Sequence, residues 1–143
     1  MSQASRNKRF ITNSPAETQG IAADFAQKLN AGDVLYLFGE LGSGKTVFAK
    51  GLCQGLGVEE NVTSPSFVIA TAYHGRYPVA HVDLYRLDSA ASTDLPIEEY
   101  ILEKGITVIE WADRLGSITK GIKVKISIAN HQKRVIEIED LGD

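Results

Sequence analysis

Eight consecutive residues have the types and spacing of a phosphate-binding loop, G-x-x-x-x-G-K-[ST]: Gly39, Glu40, Leu41, Gly42, Ser43, Gly44, Lys45 and Thr46. Glycines in such a loop let the backbone curl so that successive N–H groups point at one anion. The lysine reaches the β- and γ-phosphates, and the threonine hydroxyl ligates Mg²⁺. The loop therefore predicts a site for a nucleoside triphosphate with magnesium.

Two acidic residues directly follow apolar runs that have the character of buried strands. Residues 79–82 lead into Asp83, and residues 106–109 lead into Glu110. Because ligands of α/β proteins bind outside the carboxyl ends of the strands, we expect both acids near the bound phosphates. Asp83 would ligate Mg²⁺ directly or through water, and Glu110 would share that metal or polarise the attacking water. The alternative is that both are solvated acids at strand ends.

Three further features near these acids leave more than one interpretation open. Trp111, the one tryptophan of the chain, could be a core residue, a stacking surface or an interface anchor. Residues 63–66, T-S-P-S, could sense the γ-phosphate or form an ordinary proline turn. Arg86 could contact a phosphate or a partner, or it could be a surface charge.

The sequence around the loop predicts the elements that would position it. Residues 34–38 form an apolar run suited to a central parallel strand, and apolar residues then recur at helical spacing as far as Gly57. Ser14 begins a capping box with proline at the next position, which predicts an amphipathic helix through about residue 30. The loop would thus lie between a strand and a helix, as a phosphate-binding loop requires.

The second half of the chain predicts mainly strands. Residues 67–73 and 79–85 are expected to form a hairpin, and a short helix is expected around residues 97–104 before the strand at 106–109. Near the C-terminus, apolar and polar residues alternate through two successive runs. That alternation predicts an antiparallel hairpin with one wet face.

Length and composition fit one cored domain. The chain has 143 residues, of which 43% are hydrophobic, and this is enough for one core but short for two. We therefore expect a single P-loop NTPase-like domain of the α/β class over residues 1–143. It would contain a mixed central sheet flanked by helices and the C-terminal antiparallel hairpin. Residues 1–7 are expected to be frayed.

Charge and residue usage argue against several functions. A net charge of −3 disfavours independent binding of tRNA or DNA, because phosphate neutralisation dominates such affinity. No apolar stretch approaches the ~20 residues that span a membrane, and the N-terminus lacks the apolar core of a signal peptide. We therefore expect a cytoplasmic protein with no membrane partner. Cys53 is expected in the core, and the three histidines are too scattered to predict zinc.

Taken together, the motifs resemble one family, the bacterial TsaE family, also called YjeE. The resemblance rests on the phosphate-binding loop, then S-P-S-F at 64–67, H-V-D-L-Y-R-L at 81–87 and I-E-W-A at 109–112. The loop alone is shared by many families, whereas the H-x-D-L-Y-R-L block followed by E-W is far more specific. The similarity extends from about Ser14 to the final hairpin.

This resemblance implies a Mg²⁺-dependent ATPase needed for the threonylcarbamoyl modification of the tRNA adenosine 3′ of the anticodon. Members of the family act with the TsaB–TsaD heterodimer, which carries out the transfer itself. The resemblance therefore implies an auxiliary subunit that uses ATP to sustain or reset turnover. Its partners would be TsaD and TsaB homologues, and tRNA would be reached only through them.

The resemblance also assigns roles to individual residues. It gives Thr46, Asp83 and Glu110 the magnesium site, and it gives Lys45 and the loop the binding of phosphate. We expect Lys45, Asp83 and Glu110 to be the catalytic residues. It implies that Thr18 lies near the nucleotide and that Trp111 lies beside the nucleotide and the partner surface. Two positions depart from the family pattern. Ser66 stands where many members have threonine, which keeps a hydroxyl, and Val47 stands where a second threonine often follows the loop.

Two other functional classes remain open from the sequence. A small-molecule kinase of the P-loop type would need an acceptor pocket and usually an arginine-bearing lid, and no lid-like insertion is evident. A GTP-driven switch usually carries an [NT]-K-x-D segment after a strand. Residues 7–10, N-K-R-F, lack the aspartate and lie at the wrong end of the chain.

Overall fold

The computed structural model describes residues 6–40, 42–62, 70–85, 97–115, 118 and 120–142. Within these residues, two helices and one seven-stranded sheet form a mixed α/β fold, as predicted. The helices are α1 (Pro15–Ala26) and α2 (Lys45–Gly55). The strands are β1 (Lys8–Thr12), β2 (Val34–Phe38), β3 (Ala70–His74), β4 (Pro78–Asp83), β5 (Ile106–Glu110), β6 (Ile122–Ile128) and β7 (Arg134–Asp140).

The order of the strands is β1-β7-β6-β2-β5-β4-β3. The four inner strands, β6, β2, β5 and β4, run parallel to one another. Strands β7 and β3 pair antiparallel with β6 and β4 at the two sides, and β1 pairs antiparallel with β7. Strand β5 is buried at all of its residues, as expected for a strand covered on both faces. The parallel strands end at one edge of the sheet, which therefore gathers the residues that follow them.

Helix α1 begins at the predicted capping box. The Ser14 side chain accepts a hydrogen bond from the Glu17 N–H at 3.1 Å, and the Glu17 carboxylate accepts one from the Asn13 N–H at 3.0 Å. The prediction that the helix continues to about residue 30 was wrong, because it ends at Ala26. The Gln27 N–H bonds to the Asp24 carbonyl, so the last turn tightens before the chain reaches β2.

Small residues bring α1 and α2 into close contact. A Cβ added at Gly51 would overlap the carbonyl oxygen of Gln19 and the side chain of Ala22. A Cβ added at Gly55 would meet Ala23 and Ala26 in the same way. One cluster of buried side chains, including Phe25, Phe48 and Leu52, fills the space between the helices and the sheet. On the other face of the sheet, a second cluster lies beneath residues 97–101, residues 111–115 and Ile118.

Three further local features of the structure differ from what the sequence led us to expect. The helix expected around residues 97–104 is only a short 3₁₀ helix, Ile97–Tyr100. Strand β1 was not predicted, although it completes the sheet beside β7. Arg6 and Asn7 fall in the segment expected to be frayed, yet Arg6 pairs with Asp33 at 2.7 Å and with Asp140 at 2.5 Å. No helix of the described residues is long and apolar enough to cross a membrane.

The close contact of the helices predicts that Gly51→Ala lowers stability, although alanine favours helix formation more than glycine does. The new methyl group can be accommodated only if the two helices move apart, and overpacking of this kind costs about 1–3 kcal/mol. Urea unfolding followed by circular dichroism measures the change.

Gly20→Ala is the matched control. Gly20 also lies in a helix, but nothing lies within 4 Å of an added Cβ there. That variant should gain about 0.5–1 kcal/mol, because alanine loses less backbone entropy on folding. If both variants shift the unfolding midpoint in the same direction, close packing of the helices is not what Gly51 provides.

Candidate nucleotide-binding site

The phosphate-binding loop connects the end of β2 to the start of α2, as its sequence predicts. Gly39 has φ +155°, and a Cβ there would approach the Ile126 carbonyl oxygen to 2.7 Å. Gly44, the residue before α2, has φ +111° and gives the helix no side-chain cap. The first N–H groups of α2 are therefore left for a ligand, which is the arrangement that binds anions at helix N-termini. Leu41 lies outside the described residues.

Lys45 is folded back into the loop and is only 4% exposed. Its Nζ donates to the Gly39 carbonyl at 2.5 Å and to the Glu40 carbonyl at 2.9 Å. The same ammonium lies 3.7 Å from the centre of the Trp111 ring. Burial lowers the pKa of Lys45, and the nearby carboxylates of Asp113, Glu110, Asp83 and Glu40 act in the opposite direction. The structure therefore holds a partly desolvated cation where phosphates would lie.

Asp83 and Glu110 end adjacent parallel strands and stand opposite each other in the register of β4 and β5. Glu110 is 2% exposed, and its Oε1 accepts a hydrogen bond from the Thr46 hydroxyl at 2.8 Å. Asp83 is partly exposed, and its Oδ1 accepts the Tyr85 N–H at 2.9 Å. Thr46 and the two acids thus meet beside the loop, with Glu110 as the acid in contact with it.

His81 completes this cluster. Its ring is fully buried, and Nε2 lies 2.5 Å from the second carboxylate oxygen of Glu110. The contact between His81 and Glu110 was not predicted, since the sequence singles out His81 only within the H-V-D-L-Y-R-L block and among the three scattered histidines. The sequence nevertheless contains an indication that His81 lies near the acids. His81 lies two residues before Asp83, and alternate residues of a strand point to the same face. In the described residues, no group of three His, Cys, Asp or Glu side chains could hold a metal ion alone.

Trp111 is partly buried and adopts φ +59°, a left-handed conformation that is rare outside glycine. One side of its ring faces Lys45, and Tyr85 packs against it with the ring centres 4.8 Å apart. Arg114 also lies over the ring, at 5.6 Å, and donates to the Tyr85 carbonyl. Trp111 is therefore a stacking surface at the mouth of the site as well as part of the second core cluster.

A cavity of about 270 Å³ opens beside the loop, between α1 and the turn that joins β6 to β7. Thr18 lies in its wall, 2% exposed, with its hydroxyl 2.7 Å from that of Thr12. The other lining residues are Ser14, Pro15, Gly42, Ser43, Gly44, Val47, His131, Gln132 and Arg134. A larger, more open depression of about 520 Å³ lies on the β1-β7-β6 face, away from the loop. The smaller cavity is the one continuous with the loop.

Arg134 ties the far wall of this cavity to the loop. Its guanidinium donates to the Ser43 carbonyl at 3.0 Å and to the Gly42 carbonyl at 3.2 Å, and it also binds carbonyls of its own turn. The contact joins residues 91 positions apart, and no local sequence pattern indicates it. Residues 63–67 and Arg86, which the sequence left open, lie outside the described residues.

The contact between Lys45 and Trp111 predicts a fluorescence change without any ligand. An ammonium group against an indole quenches its emission by excited-state proton transfer, so Lys45→Met should brighten Trp111 in the nucleotide-free protein. Lys50→Met is the control, because Lys50 is an exposed lysine of the same helix. Equal emission from Lys45→Met and the parent would show that the ammonium does not rest on the ring in solution.

Comparison with known proteins agrees with the motifs. The family model for the threonylcarbamoyl adenosine biosynthesis protein TsaE matches residues 12–136. The chain is similar to proteins named tRNA threonylcarbamoyladenosine biosynthesis protein TsaE. The Treponema pallidum relative is 38% identical over 84% of this chain and 90% of its own length. The Bacillus subtilis relative is 44% identical over 73% of this chain and 66% of its own length.

Among solved structures, YdiB from Bacillus subtilis superimposes with a TM-score of 0.80 at 33% identity. The match covers 95% of this chain and 86% of YdiB. The family model spans most of the chain, and the similarity of fold extends along nearly all of it. The chain belongs to the TsaE family.

Proposed function

We propose that this protein is a Mg²⁺-dependent ATPase and an auxiliary subunit for the threonylcarbamoyl modification of tRNA. The observation that carries the ATPase proposal is the hydrogen bond from Thr46 to Glu110 beside a complete phosphate-binding loop. In P-loop NTPases, the loop hydroxyl and a strand-end acid hold the metal together. The role in tRNA modification rests on membership of the TsaE family.

The loop would bind the phosphates through groups that already converge on one place. The N–H groups at the start of α2 lack a side-chain cap and point toward an anion. Lys45 would exchange the carbonyls of Gly39 and Glu40 for phosphate oxygens. The Arg134 guanidinium donates to the Gly42 and Ser43 carbonyls. These hydrogen bonds would keep the loop in its curled conformation.

The residues at the edge of the sheet fit a magnesium ion. Mg²⁺ prefers oxygen ligands and is usually held by one or two carboxylates together with substrate phosphates. The Thr46 hydroxyl and the Glu110 and Asp83 carboxylates supply that donor set on one side of the loop. The ion would neutralise charge on the β- and γ-phosphates. Asp83 would ligate the ion directly or through water, and Glu110, held by Thr46, would share the ion or polarise the attacking water.

The cavity beside the loop would receive the nucleoside. It lies next to Gly44 and is walled by Thr18, Val47 and Pro15 on the helix side and by residues 131–134 on the other. An apolar wall with a few polar groups suits a purine base. Thr18 would contact the nucleotide from this wall, in keeping with the role that the family resemblance implies.

The partners proposed are TsaD and TsaB homologues in the cytoplasm, with tRNA reached only through them. A net charge of −3 disfavours tight independent binding to tRNA or DNA. The described residues also offer no evident group that would acylate an adenine amine. Trp111 and exposed Tyr85 lie beside the acids, where a partner could respond to the bound nucleotide.

The ATPase proposal predicts that Asp83→Ala and Glu110→Ala each reduce Mg²⁺-dependent hydrolysis at least tenfold, which corresponds to about 1.4 kcal/mol of lost transition-state stabilisation. Release of inorganic phosphate from ATP by the purified chain measures the rate. Phosphate transferred to a metabolite, rather than released, would favour the small-molecule kinase instead.

Two controls make that experiment decisive. Lys45→Ala should abolish productive ATP binding, because it removes the one lysine of the loop. Glu99→Ala removes an acid from the 3₁₀ helix at Ile97–Tyr100 and should hydrolyse ATP like the parent. Parental rates in both acid variants would mean that the metal site is misplaced.

The auxiliary role predicts association with a TsaB–TsaD pair that depends on ATP, and weak binding to tRNA by this chain alone. Labelled tRNA and the purified pair are titrated separately against the protein, with and without ATP, by fluorescence anisotropy. Tight tRNA binding in the absence of the pair, or no association with the pair in any nucleotide state, would contradict the proposed role.

A further inference from the structure

Glu110 uses both of its carboxylate oxygens in side-chain contacts. Oε1 accepts the Thr46 hydroxyl at 2.8 Å, and Oε2 meets Nε2 of His81 at 2.5 Å. Neither His81 nor Glu110 has appreciable contact with solvent, at 0% and 2% exposed. The carboxylate is therefore held from two sides, by the first turn of α2 and by a neighbouring strand.

The placement of His81 on β4 explains why it can reach Glu110. Alternate residues of a strand point to the same face, so His81 and Asp83 share the face of the sheet that carries α2. In the parallel register of β4 and β5, His81 stands beside Val108 and Asp83 stands beside Glu110. The histidine thus approaches Glu110 diagonally from within the sheet, and Asp83 stays at its open edge.

The contact with Glu110 identifies the ring nitrogen that donates. Nε2 faces Oε2 of Glu110, and within the described part of the chain the buried Nδ1 has no hydrogen-bond partner. An ionised carboxylate can only accept, so a proton on Nε2 makes His81 the donor of this contact.

We propose that His81 is a positioning residue for the metal site: its Nε2–H fixes the Glu110 carboxylate so that Oε1 faces Thr46 and the phosphate-binding loop. This inference rests on the proposed function, because it assigns to His81 the orientation of the acid at the magnesium site. His81 would act through Glu110 and not by contact with the nucleotide or the metal. A residue that hydrogen-bonds to a metal ligand, without contacting the metal itself, can fix the orientation of that ligand.

The test compares three variants of the full chain. His81→Leu removes the donor, whereas His81→Gln keeps an amide N–H near the position of Nε2. Val79→Ala is the structural control, because Val79 is buried on the same strand and the same face, two residues before His81. Trp111 emission measures ATP affinity in EDTA, and phosphate release measures the Mg²⁺ concentration at half-maximal rate. Thermal unfolding measures stability.

His81→Leu should raise the Mg²⁺ concentration at half-maximal rate by about tenfold or more, the effect expected when a metal ligand loses its orienting partner. Its ATP affinity in EDTA should stay near that of the parent, since the loop contacts are intact. His81→Gln should recover most of the Mg²⁺ dependence, and Val79→Ala should lose stability without changing it. Parental Mg²⁺ dependence in His81→Leu, or an equal change in Val79→Ala, would overturn the inference.

A measurement without metal or nucleotide separates this inference from the proposed function. Nitrogen-15 NMR of the histidine rings should find a proton on Nε2 of His81, and Glu110→Gln should shift the Nε2 signal. Absence of a proton from Nε2 would overturn the positioning role, even where the parent hydrolyses ATP. A parent that neither binds nor hydrolyses ATP would instead overturn the proposed function, whatever the ring shows. Should His81→Leu fail to fold, His81→Gln and the ring signals decide the outcome.

Discussion

The site depends on the hydrogen bond between Thr46 and Glu110, because it joins two elements that are 64 residues apart in the chain. Thr46 belongs to the first turn of α2, and Glu110 ends β5. The bond fixes the start of α2 against the edge of the sheet. The loop between β2 and α2 is therefore anchored at both of its ends. A buried carboxylate needs such partners, since an unpaired charge in this position would be strongly destabilising.

The parallel order of the inner strands makes this contact possible. Strand β5 lies directly between β2, which leads into the loop, and β4, which ends in Asp83. The strand that ends in Glu110 therefore lies one strand spacing, about 4.8 Å, from β2, and the strand that ends in Asp83 lies one further spacing away. Strands β7 and β1 extend the sheet in the other direction, and the turn that joins β6 to β7 walls the cavity proposed for the nucleoside. Each side of the sheet thus contributes one part of the proposed site.

Local patterns in the sequence predicted the features that depend on local physics. The phosphate-binding loop, the capping box at Ser14 and the α/β class with a mixed sheet were all evident from residue type and spacing, and family membership was evident from the motifs. The apolar run at residues 79–82, which leads into Asp83, predicted that this acid would lie at the carboxyl edge of the sheet. Burial of Cys53, where desolvation raises the pKa of the thiol to about 12, also followed from its place on the apolar face of α2.

The remaining features depend on contacts that no local pattern encodes. Arg134 reaches the loop across 91 residues, and Arg6 reaches Asp140 across 134. Strand β1 is short and partly charged, and only its pairing with β7 makes it a strand. Trp111 adopts a left-handed conformation, which its residue type does not favour, and its ring packs against Lys45 and Tyr85. For residues 63–67, the sequence alternatives stand as they were, since these residues lie outside the described part of the chain.

The folded-back position of Lys45 makes the lysine an internal competitor of any phosphate that enters the loop. Its ammonium already has two carbonyl acceptors and an aromatic face. A bound phosphate would gain only the difference between its own attraction and these contacts, so tight retention of the proposed product would be opposed from within the loop. When that phosphate left, the cation would return to partners a short distance away, and no unpaired charge would be left buried. Such an exchange would favour reversible binding of the proposed nucleotide over permanent retention.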